Sequence, residues 1–344
     1  MEEDRNCHDQ TQARVKDEYN DAIEWFSKAL AVDSSFTDAA FGLENAYAHA
    51  GFSDQSKEWL IKNYGKNTRM DPVNQIYASY AYALSFEAPE NAIGYVRQLQ
   101  QMDDHWLKPT YLLGILYNWT GQYYNAIQQF EKLLELCRKR GTEYMQNSSV
   151  WEGLGKAYHQ TGQFKKAKKI CRKGLRYMPG EPKIIARQAL LSFTEKDTVA
   201  AVNYIGEYEK SIRKNEWSAA KIADGLGDIY AEAGLPDKAE IYYRKALSLE
   251  PDNPERYKAI VTLFMENNRS LDESQSLIDR AMNLAGNQCR YYEFMDLKGK
   301  CLLKQGRKEE ALEILENTYN STPYKLYYIY ADLQKARKAV AGFN

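Results

Sequence analysis

Cysteine is sparse. The 344-residue chain holds five, Cys7, Cys137, Cys171, Cys289 and Cys301. They are odd in number and far apart, no CxxC pair occurs, and no Cys/His set has zinc-ligand spacing. That excludes a disulfide framework and a structural zinc site, and leaves reduced, mostly buried thiols. No run of about 18 apolar residues exists, so no transmembrane helix is expected. Met1 to Asn20 is polar and lacks the apolar core of a signal peptide, and the expected location is cytoplasmic. Neither sign of charge is in excess. The 46 basic and 47 acidic residues sum to −1, so neither nucleic acid nor a membrane surface is the expected partner.

Catalytic signatures are missing as well. His8, His49, His105 and His159 show no HxxxH or HExxH spacing, and there is no GxSxG and no Gly-Lys-Thr phosphate loop. Gly225-x-Gly227 follows no strand and sits inside a helical pattern. The chain is therefore expected not to be an enzyme, with no cofactor, metal or small-molecule substrate.

What the sequence does hold is aromatic residues (13%, with 27 tyrosines) and self-similarity. Disordered chains lack such a supply of large apolar groups. Trp151-x-x-Leu154-Gly155-x-x-Tyr158 is followed by Gly162, Ala167, Cys171, Gly174 and Pro179. Ala223-x-x-Leu226-Gly227-x-x-Tyr230 is followed, at the same offsets, by Gly234, Ala239, Tyr243, Ala246 and Pro251. Leu113-Gly114-x-x-Tyr117 leads to Gly121, Ala126, Phe130 and Leu133 in the same way. The small residues let two helices approach, the aromatics fill the space between them, Gly121, Gly162, Gly234 and Gly306 can end a first helix at φ > 0, and Pro179, Pro251 and Pro323 stop a second one.

This pattern resembles the tetratricopeptide repeat (TPR), and the resemblance covers nearly the whole chain. It implies an all-α fold, a right-handed α–α superhelix (TPR solenoid) of about nine helix-turn-helix repeats plus a C-terminal capping helix. The expected units are 3–36, 37–70, 73–106, 107–140, 148–181, 182–215, 220–253, 254–288 and 292–325. The third, sixth and eighth are degenerate and are held in phase by Ala92, by Ala201, and by Phe264 with Ala281. The capping helix is expected over 324–341, with Leu326, Ile329, Leu333, Ala336 and Val340 on one face. Short insertions at 141–147, 216–219 and 289–291 read as inter-unit loops, and one continuous solenoid over 1–344 is expected. Residues 3–17 are too polar for an ordinary first helix, so they form either a polar cap or the start of a segment cut from a longer protein.

The resemblance also implies that the first helix of each unit lines a concave groove. In this register the groove presents Phe41, Asn45, His49, Asn74, Tyr77, Lys108, Tyr111, Asn118 and Trp119, then Glu152, Lys156, His159, Lys183, Phe193, Lys221, Asp224 and Asp228. Lys258, Glu266, Glu293, Asp296, Lys300 and Lys304 complete it. The first part is aromatic with amides and the last is charged. Rings offer area for apolar anchors and amides can hydrogen-bond an extended backbone. The expected function is a non-enzymatic interaction scaffold binding a protein or peptide segment, centred on Tyr77, Tyr111 and Trp119; packing between helices is the other use of those rings. No unit has Lys then Asn at its fifth and ninth positions, so a chaperone-tail adaptor is not expected. Two alternatives are a TPR sensory or regulatory module of a bacterial signalling or transcription-regulating protein, and an RNA-binding solenoid using the basic run from Lys165 to Arg176. A solvated outer face is the plain reading of that run.

Overall fold

The computed structural model describes residues 19–34, 36–50, 52–65, 70–140, 143–214, 217–286 and 288–342. Residues 3–17, and with them the choice between polar cap and truncated segment, lie outside the described residues. Helix α1 covers residues 19–32. It is followed by α2 (Thr37–His49), α3 (Ser53–Gly65), α4 (Pro72–Phe86), α5 (Pro89–Met102), α6 (Leu107–Trp119) and α7 (Tyr123–Arg140). Next come α8 (Ser148–Gln160), α9 (Phe164–Tyr177), α10 (Pro182–Thr194), α11 (Thr198–Lys214), α12 (Ala219–Glu232) and α13 (Pro236–Leu249). The last are α14 (Pro254–Glu266), α15 (Leu271–Leu284), α16 (Gln288–Lys304), α17 (Lys308–Ser321) and α18 (Tyr327–Val340). Among the described residues there is no strand.

Successive helices pack as antiparallel hairpins, and the hairpins stack into a right-handed α–α superhelix capped by α18. The closest approach within a hairpin occurs where a glycine of the even-numbered helix faces a bulky side chain sixteen residues later. Gly114 faces Phe130, Gly155 faces Cys171, Gly227 faces Tyr243 and Gly299 faces Leu315. A methyl added at Gly114 would lie 2.7 Å from the Phe130 ring, and one at Gly155 would lie 2.9 Å from the Cys171 sulfur. Phe130, Cys171 and Leu315 are each 0% exposed, so none can swing away.

The turn between the two helices is equally regular. Gly121, Gly162, Gly234 and Gly306 have φ between 71° and 79°, and the next residue's N–H bonds back to the helix, as Gln122 does to the Tyr117 carbonyl at 2.8 Å and Leu235 to Tyr230 at 2.9 Å. The α10–α11 and α14–α15 hairpins make the same turn without glycine. Lys196 (φ 61°) and Asn268 (φ 49°) take its place, and Asp197 N–H bonds Ser192 O at 2.9 Å while Arg269 N–H bonds Phe264 O at 3.0 Å.

Each even helix from α6 onward also touches the next even helix, through to α18, whereas no two odd helices pack to that degree among the described residues. The even helices are thus the crowded inner wall and the odd helices the spread outer one. The curvature carries far enough for the two ends to meet. The Asp54 carboxylate of α3 accepts the Cys289 N–H of α16 at 3.2 Å, and the Tyr324 hydroxyl donates to the Asp54 carbonyl at 3.1 Å. Phe86 packs on the apolar cluster of Cys289, Tyr324, Leu326 and Ile329.

Two expected features come out differently. Residues 289–291 are not a loop; they are the first turn of α16. The reason is that Cys289 is buried in this end-to-end contact, where the Asp54 carboxylate takes the N–H that a helix start leaves free. The capping helix begins at Tyr327 rather than 324, because Thr322 holds the preceding segment in a turn, its hydroxyl donating to the Tyr324 carbonyl at 3.0 Å. Leu326, Ile329, Leu333 and Ala336 are buried as expected, while Val340 is exposed.

Gly114→Ala is expected to cost about 1–3 kcal/mol by overpacking against Phe130. Gly206→Ala, in mid-α11 with open space around its Cβ position, is expected to stabilise by about 0.5–1 kcal/mol. Urea melts of the two variants check the contrast, and equal effects would contradict the close-approach argument. For the end-to-end contact, a Asp54→Ala/Tyr324→Phe double variant should keep its helix content by circular dichroism while small-angle scattering shows a longer maximum dimension; an unchanged dimension would mean the contact does not hold the ends.

Candidate functional site

On the inner wall, side chains from many hairpins converge. Its helices begin with side chains that satisfy free N–H groups: Asp71 accepts from Val73 and Asn74 on α4, Asn147 from Ser149 on α8, Ser218 from Lys221 on α12, and Asn253 from Glu255 on α14. These caps fix where α4, α8, α12 and α14 start and so which of their residues point inward.

The expected groove residues divide into three groups. Tyr77, Lys108 and Tyr111 are brought together between α4 and α6, with the Lys108 ammonium 4.5 Å from the Tyr77 ring centre. Tyr80 joins them; burial, with Tyr111 and Tyr77 adjacent, pushes its hydroxyl up to about 12. A second group is turned toward the wall itself. The Asn118 amide donates to the Gly153 carbonyl at 2.8 Å, His159 Nε2 is 2.8 Å from the Thr194 hydroxyl, and Asn74 donates to the Asp71 carboxylate at 2.6 Å. Burial, and then Arg187, lower the His159 pKa, which keeps the ring neutral. The third group is exposed to solvent: Asn45 on α2, and Trp119, 61% exposed, at the end of α6. Phe41 and Lys156 are half-buried on α2 and α8.

Sequence reasoning missed what binds the inner helices to each other. Arg187 of α10, 5% exposed, reaches Glu152 of α8 at 2.6 Å and Glu232 of α12 at 2.5 Å. Arg256 of α14 reaches Asp224 of α12 at 2.7 Å and Glu250 at 2.8 Å. Lys258 of α14 pairs with Glu293 of α16. The signal that could have found them is spacing: Glu152 to Arg187 and Lys258 to Glu293 are each 35 residues apart, one unit further along. At the end of the wall, Lys300 lies between two buried carboxylates, 3.7 Å from Asp296 and 3.3 Å from Asp332.

Among the described residues, His159 beside the Thr194 hydroxyl is a histidine–hydroxyl pair. The other two described histidines stand apart: His49 stacks on Tyr19, with ring centres 4.9 Å apart, and His105 sits in the α5–α6 turn. Burial pushes the thiols of Cys171 and Cys289 up to about 12, so neither is an accessible thiolate. Asp103, Asp104 and His105 bring three ligand atoms within 4.8 Å of one another. Their contacts are local, with Asp103 accepting the His105 N–H at 2.8 Å and Asp104 reaching Lys132 at 3.4 Å. No described helix is long and apolar enough to cross a membrane.

Models of the tetratricopeptide repeat match residues 108–179 and 220–253. The chain is 30% identical over 99 residues to the RNA polymerase-associated protein CTR9 of Caenorhabditis elegans, a match covering 28% of this chain and 8% of that protein. Among solved structures it is similar to a chain of the APC/C hetero-tetramer Cut9–Hcn1 (16% identity, 84% of this chain and 53% of that one, TM-score 0.48). It is also similar to yeast Tom70 (15% identity, 89% and 63%, TM-score 0.49). A tetratricopeptide repeat protein of Parabacteroides merdae matches at 16% identity over 82% of this chain and 99% of that one, with a TM-score of 0.42. The chain therefore spans less than two thirds of CTR9, of the Cut9–Hcn1 chain and of Tom70.

Asp296 gives the wall a pH response. Burial is the largest cause pushing its carboxyl up to about 7; Asp332 and Glu293 add to the rise, and Lys300 and Lys335 oppose it. In the unfolded chain the same group titrates near 3.8, so the folded state holds the extra proton between these values. The associated stability is present at the acid end of that window and is lost as pH rises through about 7. Asp296→Asn should flatten this part of the stability curve by on the order of 1–3 kcal/mol. Melting temperatures at pH 5, 6, 7 and 8 check it; parallel curves for both proteins would contradict the assignment.

Proposed function

We propose, on the premise that the chain is a tetratricopeptide-repeat protein, that its helix pairs act as one solenoid and serve as a non-enzymatic scaffold for a protein or peptide segment in the concave groove. The observation that supports this best is Trp119. It stands 61% exposed at the end of inner helix α6, where its ring adds little to the packing of the fold. A large aromatic left in water at the far end of the helix that carries Lys108 and Tyr111 suits an anchor for an incoming side chain. Asn45, exposed on α2, has its amide available to an extended backbone. Further along the wall, from α8 to α16, ion pairs tie the inner helices together, so a segment continuing there meets a surface of fixed shape and loses little to reorganising it.

The test is affinity capture with the full chain, compared with a Trp119→Ala/Asn45→Ala variant. Both side chains are exposed, so the melting temperature should move by less than about 1 °C. Capture of whatever partner the wild type retains should fall about tenfold or more. Equal recovery by both proteins would place the binding surface elsewhere.

A further inference from the structure

We infer that the outer face of α9 is a second docking surface, one that takes a short acidic protein segment with carboxylates about one helical turn apart. This rests on no part of the groove reading, because α9 is an outer helix and its charges point away from the concave wall.

Every charged residue of α9 is a lysine or arginine, in a chain whose charges sum to −1. Three of these cations have partners: Lys168 pairs with Glu195, and Lys166 and Lys173 lie 5.3 Å and 5.7 Å from the ring centres of Tyr158 and Trp151. The other four, Lys165, Lys169, Arg172 and Arg176, are exposed and have no partner among the described residues. They stand at i, i+4, i+7 and i+11, which puts them in a single stripe about 16 Å long.

Helix energetics do not account for this stripe. Cations near a helix C-terminus complement the macrodipole, which suits Arg176. Lys165 sits in the first turn, where the same field disfavours it, and the like charges of Lys165 and Lys169, four residues apart, repel. An anion from outside offsets both costs.

Two features select a short acidic protein segment over nucleic acid. First, the stripe is one helix long: the flanking outer helices mix exposed carboxylates (Glu135 on α7, Glu207 on α11) with cations (Arg138, Lys139 and Arg140 on α7, Arg213 and Lys214 on α11), whereas α9 carries cations and no carboxylate. A long polyanion crossing the units would meet those carboxylates, whereas a segment laid along α9 would not. Second, the stripe ends beside a cleft of about 830 Å³ whose wall includes Tyr177, Met178, Pro179 and Ile185. Tyr177 is held with its ring stacked on the buried Trp151, centres 5.3 Å apart. That cleft suits an apolar side chain following the acidic stretch.

The test uses fluorescence anisotropy with the full chain and a labelled helical peptide that has Glu at i, i+4, i+7 and i+11 followed by Leu. A Gln-for-Glu peptide and a twelve-nucleotide single-stranded RNA are the comparison probes. The Glu peptide should bind, and binding should weaken about tenfold between low and high salt. Lys165→Glu/Lys169→Glu/Arg172→Glu/Arg176→Glu should weaken it at least about tenfold, while Lys245→Glu/Lys308→Glu on outer helices α13 and α17 should change it less than about twofold. Lys165→Glu/Lys169→Glu alone should melt no lower than the wild type, because it relieves unfavourable charge; a lower melting temperature would overturn the energetic argument. If the fourfold variant loses helix content, the corresponding Lys/Arg→Gln set replaces it. Retained peptide affinity in the variant, equal binding of the Gln peptide, or no peptide binding at all would leave the stripe a solvated face and overturn the proposal. Tighter binding of the RNA than of the peptide would overturn it in favour of a nucleic-acid surface.

Discussion

The structure depends on one contact repeated along the chain: a glycine on the inner helix of a hairpin meeting a bulky, fully buried side chain on the outer helix. Gly114 with Phe130 and Gly299 with Leu315 hold the same relation, sixteen residues apart, at distant points of the fold. With no Cβ at that point the two helices approach until the ring or isopropyl group lies on backbone. The separation within each hairpin is then fixed, and stacking hairpins of one geometry produces a constant rotation from each to the next. Curvature follows, with the inner helices crowded and the outer ones spread.

Crowding of the inner helices has an electrostatic consequence. Groups that would be solvated on a flat array are desolvated where α8, α10 and α12 converge, and a buried cation there must be matched. Arg187 is matched on both sides, by Glu152 and Glu232, and Arg256 by Asp224 and Glu250. Such pairs add little net stability over apolar packing, but they penalise any spacing at which a partner is lost. They therefore act on register more than on stability. Asp224 and Asp296 mark the limit of the pattern. Each keeps one buried oxygen with no hydrogen-bond partner among the described residues, and burial raises the proton affinity of both.

The repeats that were plain in the sequence are those in which glycine fills both special positions, the helix contact and the turn. The degenerate ones were obscured because the backbone requirement was met by other residues. Lys196 and Asn268 adopt the left-handed conformation that glycine takes elsewhere, and the same carbonyl receives the same N–H. Asn does so with modest strain and Lys with more, so hairpin geometry survives a sequence that no longer advertises it. The 289–291 segment was read as a loop for a related reason. Its helical state depends on Asp54, some 235 positions away, and a local pattern carries no trace of so distant a contact. On the inner wall, inward-facing positions followed from the register, but their use did not. Asn118 and His159 have the chemistry of ligand contacts, yet their polar atoms meet Gly153 and Thr194, and only the spacing of neighbouring helices decides between the two uses.

The end-to-end contact is of a different order from the stacking. Two hydrogen bonds accepted by Asp54 and a small apolar cluster around Tyr324 and Ile329 join the ends, whereas neighbouring hairpins share cores that run through several helices, such as the one containing Phe130, Trp151 and Ile184. Local opening follows the weakest set of contacts. The superhelix therefore opens at this seam before any hairpin separates from its neighbour, and a change of pitch spread over many stacked interfaces moves the ends apart without breaking a core. The wall inside the turn is rigid over short distances, where glycine contacts and buried ion pairs fix each step, and compliant over its full length, where only the seam holds it closed. A segment entering from the side meets the compliant element first, and one threading along the axis meets only the rigid wall.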